Sequence, residues 1–132
     1  MGHGQVFDAL YAAQPAQIAQ IRSEVVCVAA VCGADESTLA KIRLAVSEAA
    51  TNVVLHAYRH DPGAGDVRVF IELAENCLNV GVRDSGIGMS PRADSPGAGL
   101  GLSLMANLAD RCAINPAPQG GTEVILRFEV DT

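Results

Sequence analysis

Between Lys41 and Tyr58 (KIRLAVSEAATNVVLHAY) apolar residues return at three- and four-residue steps: Ile42, Val46, Ala49 or Ala50, Val53 and Val54. That spacing predicts one helix with a single buried face. A polar stripe crosses the same helix, because Glu48, Asn52 and His56 stand at i, i+4 and i+8 and therefore stack on one side. Upstream, Pro15 suits a first helical turn, and Ile18, Ile21, Val25, Val28 and Cys32 continue at helical spacing. Gly33 then serves as a C-terminal cap, and Asp35 or Ser37 can cap the next helix.

Elsewhere the period is two. Gln5 to Tyr11 alternates, with Val6, Asp8 and Leu10 on one side and Phe7, Ala9 and Tyr11 on the other. Asp66 to Glu75 sets Val67, Val69, Ile71 and Leu73 against Arg68, Phe70 and Glu72. The next run sets Leu78, Val80 and Val82 against Asn79, Gly81 and Arg83, and Glu75-Asn76 joins the two as a tight hairpin. Asp84 to Gly101 is dense in Gly, Pro, Ser and Asp and reads as a loop, as does the turn His60-Asp61-Pro62-Gly63. Leu100 to Arg111 returns to helical periodicity, Cys112–Ile114 is a short strand, and Glu123 to Val130 is a last alternating strand. Strands joined by hairpins favour an antiparallel sheet, and three helices need one face of it to bury their apolar stripes. The expected fold is α+β: a two-layer α/β sandwich, with a mixed, mostly antiparallel sheet and three helices on one face, forming a single domain over residues 1–132.

Composition narrows the function. The formal charge of −6 and the lack of a basic patch argue against a nucleic-acid backbone as partner. Lys41 is the only lysine and lies inside a helix, which excludes the P-loop and the eukaryote-type protein-kinase arrangements. Cys27, Cys32, Cys77 and Cys112 form no CxxC pair, so a zinc site is not expected; each lies in or beside an apolar run and reads as a buried free thiol. No signal peptide opens the chain, and no apolar run approaches the ~20 residues of a membrane span. The expectation is a soluble cytoplasmic protein.

Four short segments carry candidate chemistry. Glu48 and Asn52 put a carboxylate and a carboxamide one turn apart amid Ala and Val, a metal and acid/base pair or else a solvated helix face. Arg83-Asp84-Ser85-Gly86-Ile87-Gly88-Met89 begins as a strand ends; its glycines permit close approach of backbone, with Asp84 as an acceptor beside them. Pro96-Gly97-Ala98-Gly99-Leu100-Gly101-Leu102 precedes a helix whose first N–H groups can hold an anion, without the sequence of a Walker A loop or a dinucleotide fingerprint. Gly120-Gly121-Thr122-Glu123 turns into the last strand. Alone, the first two glycine segments also read as an ordinary turn and a hinge before a helix, and the third reads first as a plain turn.

In this order and spacing the four resemble the GHKL ATPase superfamily, the ATP-binding domains of gyrase B, sensor histidine kinases and MutL. The resemblance covers nearly the whole chain, and VSEAATNVVLHAY and VRDSGIGM look closest to the bacterial anti-sigma-factor serine/threonine kinases. It implies the following roles. Asn52 would coordinate a Mg²⁺ that bridges the ATP phosphates. Glu48 would act as general base or orient the attacking hydroxyl. Asp84 would accept a hydrogen bond from the adenine amino group, with Thr122 supporting it. Gly86 and Gly88 would lie against the nucleotide. Gly97, Gly99, Leu100 and Gly101 would cover the phosphates as a lid, in which Arg92 is the one cation between Met89 and Gly99. The implied partners are a sigma factor and an anti-anti-sigma (STAS-type) protein, in a homodimer that contacts neither membrane nor nucleic acid directly. Two alternatives are a nucleotide-gated binding module that transfers no phosphate and a detached histidine kinase catalytic domain.

Overall fold

The computed structural model describes residues 4–58, 65–86, 105–118 and 120–130. Strand β1 (Gly4–Ala12) leads into helix α1 (Pro15–Val31) and helix α2 (Glu36–Asn52). A π-helical turn (Val53–Ala57) follows α2 directly. Then come β2 (Asp66–Ala74), β3 (Cys77–Asp84), β4 (Arg111–Pro116) and β5 (Thr122–Glu129). Residues 105–108 are helical.

The five strands form one sheet in the order β1-β2-β3-β5-β4, and all four pairings are antiparallel. The sheet is therefore more uniform than the mixed one expected. The hairpin between β2 and β3 falls at Glu75-Asn76, with Asn76 in the left-handed region at φ 61.

Alternation decides which side chains meet the helices. Val67, Val69 and Ile71 from β2, Leu78, Val80 and Val82 from β3, and Val124, Leu126 and Phe128 from β5 all enter one core with Ile21, Val25, Ile42 and Val46. Met105 and Ala109 join that core from the third helical segment, so the helices share one face of the sheet. Phe7, Ala9 and Tyr11 turn inward from β1, and the Tyr11 hydroxyl donates to Glu24 on α1. The opposite face mixes charged residues with apolar ones such as Leu10 and Phe70, and none of the described helices packs on it. There Arg68 pairs with Asp8 at 2.8 Å, and Arg83 pairs with Glu123 at 3.2 Å while lying 5.3 Å from the Phe70 ring centre. Phe70 is buried on this face because Gly81 leaves room for its ring.

Helix boundaries follow local chemistry. α1 opens with Pro15 at its first position, and Gly33 turns left-handed (φ 104) just past its end. α2 is capped by the Asp35 carboxylate, which accepts from the Thr38 N–H at 2.8 Å. Two expectations need correction. The helix expected from Leu100 to Arg111 stops at 108 among the described residues, and Arg111 already belongs to β4. Cys27 is exposed on the outer side of α1, while only Cys77 among the four free thiols is fully buried. Among the described residues no helix is long and apolar enough to cross a membrane.

Candidate nucleotide site

The site begins where β3 ends. Asp84 is the last residue of that strand and is 3% exposed. It faces the helices because Val80 and Val82, four and two residues earlier, do the same. Burial pushes its carboxyl above the usual carboxylate range, against the N–H groups of Gly86 and Thr122, which donate to it and favour its charge. The Gly86 bond is 2.9 Å long. Thr122, itself 3% exposed, opens β5 next to this strand end. The result is a carboxylate fixed by backbone amides, with acceptor capacity left over for a ligand N–H.

Glycines permit the close packing around it. A Cβ on Gly86 would lie 2.1 Å from the carbonyl oxygen of Ala57, and one on Gly121 would lie 2.1 Å from the carbonyl oxygen of Asp84. Gly121 also holds φ at +88°, a conformation that other residues adopt at a cost. Both turns are thus pressed against neighbouring backbone, which no side chain at either position would allow.

The helix supplies the other half. Asn52 is the final residue of α2, 4% exposed, and its side-chain Nδ2 has no hydrogen-bond partner among the described residues. A buried amide group normally finds a partner, since leaving it unmade costs about 1–3 kcal/mol. Glu48 lies one turn earlier and is partly buried. The helical run carries on through the π turn to Ala57, against which Gly86 packs, and to Tyr58. The Tyr58 hydroxyl donates to the Asp66 carbonyl at 2.7 Å and accepts from the Ser85 N–H at 2.9 Å. The end of α2 and the end of β3 are therefore held together by contacts at 57, 58, 85 and 86.

Of the residues singled out in the sequence, Asp84, Gly86 and Thr122 meet directly, and Glu48 and Asn52 share one helix that reaches them. Gly88, Arg92, Gly97, Gly99, Leu100 and Gly101 lie outside the described residues. On the uncovered face a cavity of about 220 Å³ opens beside Ser85, with Asp66, Arg68 and Arg83 in its wall; neither Asn52 nor Asp84 lines it. Sequence reasoning missed Tyr58 and the π turn. The signal for Tyr58 was there in outline, as an aromatic at a helix end facing a glycine-rich turn.

Comparison with known proteins gives the family and the fold. Residues 11–128 match the family model for the histidine kinase-like ATPase domain. An anti-sigma F factor of Shouchella clausii is 30% identical over 105 residues, covering 71% of this chain and 71% of that protein. One from Pasteuria penetrans is 32% identical over 97 residues, covering 65% of each chain. A crystal structure of the RsbU and RsbW domains of a Mycobacterium tuberculosis protein superposes with a TM-score of 0.71 at 24% identity, over 95% of this chain. The chain spans 33% of that longer protein, and the likeness speaks to the fold. The chain belongs to the histidine kinase-like ATPase family, in the branch populated by anti-sigma factors.

Proposed function

We propose that this protein is an ATP-dependent serine/threonine kinase that also acts as an anti-sigma factor, phosphorylating an anti-anti-sigma partner of the STAS type and holding a sigma factor as a homodimer. The observation that carries the reading is Asp84: a buried carboxylate held by two backbone amides at a glycine-lined strand end. Such a group suits an exocyclic amine, and adenine presents one. Asn52 fits the other end of the nucleotide. Its carboxamide is buried and its Nδ2 is unused by the described fold, as expected of a group reserved for a ligand. Among the described residues no three His, Cys, Asp or Glu side chains gather to hold a metal. A magnesium ion here would draw most of its oxygen ligands from phosphate and water, its usual preference in phosphoryl transfer.

The ion would neutralise phosphate charge; the remaining work falls to the chain. Asp84 and Thr122 orient the base. The family resemblance would assign the phosphates to the glycines of 97–101 and to Arg92, which lie outside the described residues. Glu48, one turn from Asn52, takes the proton from the partner's serine hydroxyl as its oxygen bonds to the γ-phosphorus. The bond from that phosphorus to the bridging oxygen breaks, and ADP leaves.

Incubation with γ-labelled ATP and a STAS-domain protein should place label on serine. Glu48→Ala should keep nucleotide affinity within about threefold yet cut transfer by ~10²-fold or more. Transfer that survives this change would remove Glu48 from the role of base. Nucleotide binding without any transfer by the parent protein would favour the nucleotide-gated binding module instead.

A further inference from the structure

The helix carrying Glu48 and Asn52 does not stop as an α-helix; it passes into a π turn at Val53–Ala57 and then presents Tyr58. π turns are rare and occur mostly at functional positions. A π turn adds backbone per turn, so Tyr58 stands at a different angle from the one an unbroken α-helix would give it. Its ring lies across Gly65, where a Cβ would come 2.2 Å from it, so any larger residue there would have to displace the ring. Its hydroxyl is used twice, giving its hydrogen to the Asp66 carbonyl and taking the Ser85 N–H. Asp66 opens β2 and Ser85 follows β3, two strands paired with Val67 opposite Asp84. One phenol thus ties the end of α2 to the ends of two strands.

The next amide in line is the one that matters. The Gly86 N–H donates to Asp84 Oδ1, and Gly86 itself rests on the Ala57 carbonyl. Fixing the Ser85 nitrogen therefore restrains the Asp84–Ser85 peptide, directly before the one whose N–H aims the Asp84 carboxylate. We propose that Tyr58 is a positioning residue for nucleobase selection, holding the 85–86 backbone so that Asp84 points at the purine 6-amino group. This rests on the reading of Asp84 as the adenine acceptor.

The test compares ATP with purine riboside triphosphate, which lacks the 6-amino group, by titration against the parent, Asp84→Asn and Tyr58→Phe. Phenylalanine keeps the ring over Gly65 and removes only the hydroxyl. The parent should prefer ATP by roughly 10- to 100-fold, the range of a hydrogen bond to a charged group. Asp84→Asn should lose most of that preference. Tyr58→Phe should reduce it at least about threefold through weaker ATP binding, leaving affinity for the analogue within about twofold. A purely structural role would weaken both nucleotides alike and leave the ratio unchanged. A parent with no preference overturns the adenine reading and this inference together. A parental preference that Asp84→Asn removes and Tyr58→Phe retains overturns the inference alone. Should Tyr58→Phe fail to fold, amide hydrogen exchange on the parent decides: the Ser85 N–H should be protected, and exchange at the rate of an open peptide overturns the proposal.

Discussion

Asp84, the last residue of β3, is 3% exposed. Burial raises its pKa above the ordinary 3.8, and the two amides that donate to it only partly offset that. A carboxyl whose folded pKa is raised stabilises the fold fully below its unfolded pKa, and that contribution is lost as pH rises through the folded value. Asp8 and Asp35 behave the other way. The Arg68 hydrogen bond lowers the first and the Thr38 N–H lowers the second, so their contributions are lost as pH falls. Relative to the parent, Asp84→Asn should therefore gain stability as pH climbs from about 4 toward neutrality. Urea denaturation of both proteins across that range gives the difference directly. A difference that is flat, or that slopes the other way, would mean Asp84 is not ionised against a burial cost.

At the level of elements, the strands are set by alternation and the helices by their ends. Phe128 in β5 is 1% exposed and touches the same core as α1 and α2. Phe128→Ala should cost about 3–5 kcal/mol in a denaturation experiment, the usual cost of deleting a buried ring. A loss under ~1 kcal/mol would mean the sheet and helices pack less closely than the burial implies. Elements with a strong period were legible in the sequence. The alternating faces of β2 and β3, the proline start of α1 and the Asp35 cap of α2 each follow from a local rule. The π turn was not legible, because Val53, Val54 and Leu55 are consecutive apolar residues and fit an α or a π phase equally well. The extension of β4 to Arg111 and Pro116 was also hidden, since its pairing with β5 comes from tertiary contact and the segment's own propensity is weak. Within the candidate site, Asp84 and its glycine neighbours could be singled out by spacing, and the fold brings Asp84, Gly86 and Thr122 together. The bridge through Tyr58 could not, because it joins three elements that only the folded sheet brings together.

For the whole molecule, the strand order has a kinetic meaning. β2 and β3 are joined by a two-residue turn, whereas Arg83 and Glu123, paired across β3 and β5, are 40 residues apart in sequence. Closing the longer loop costs more chain entropy, and contacts of that kind slow the search for the native state. The hairpin should thus belong to the folding nucleus, while β5 docks after the barrier. Stopped-flow chevrons should show Val69→Ala mainly slowing folding and Val124→Ala mainly hastening unfolding; the reverse pattern would refute this order. Thr122 arrives with β5, so on the proposed reading the nucleotide pocket would be assembled in the last stage of folding, and a nascent chain would gain the ability to hold ATP only once nearly everything else is in place.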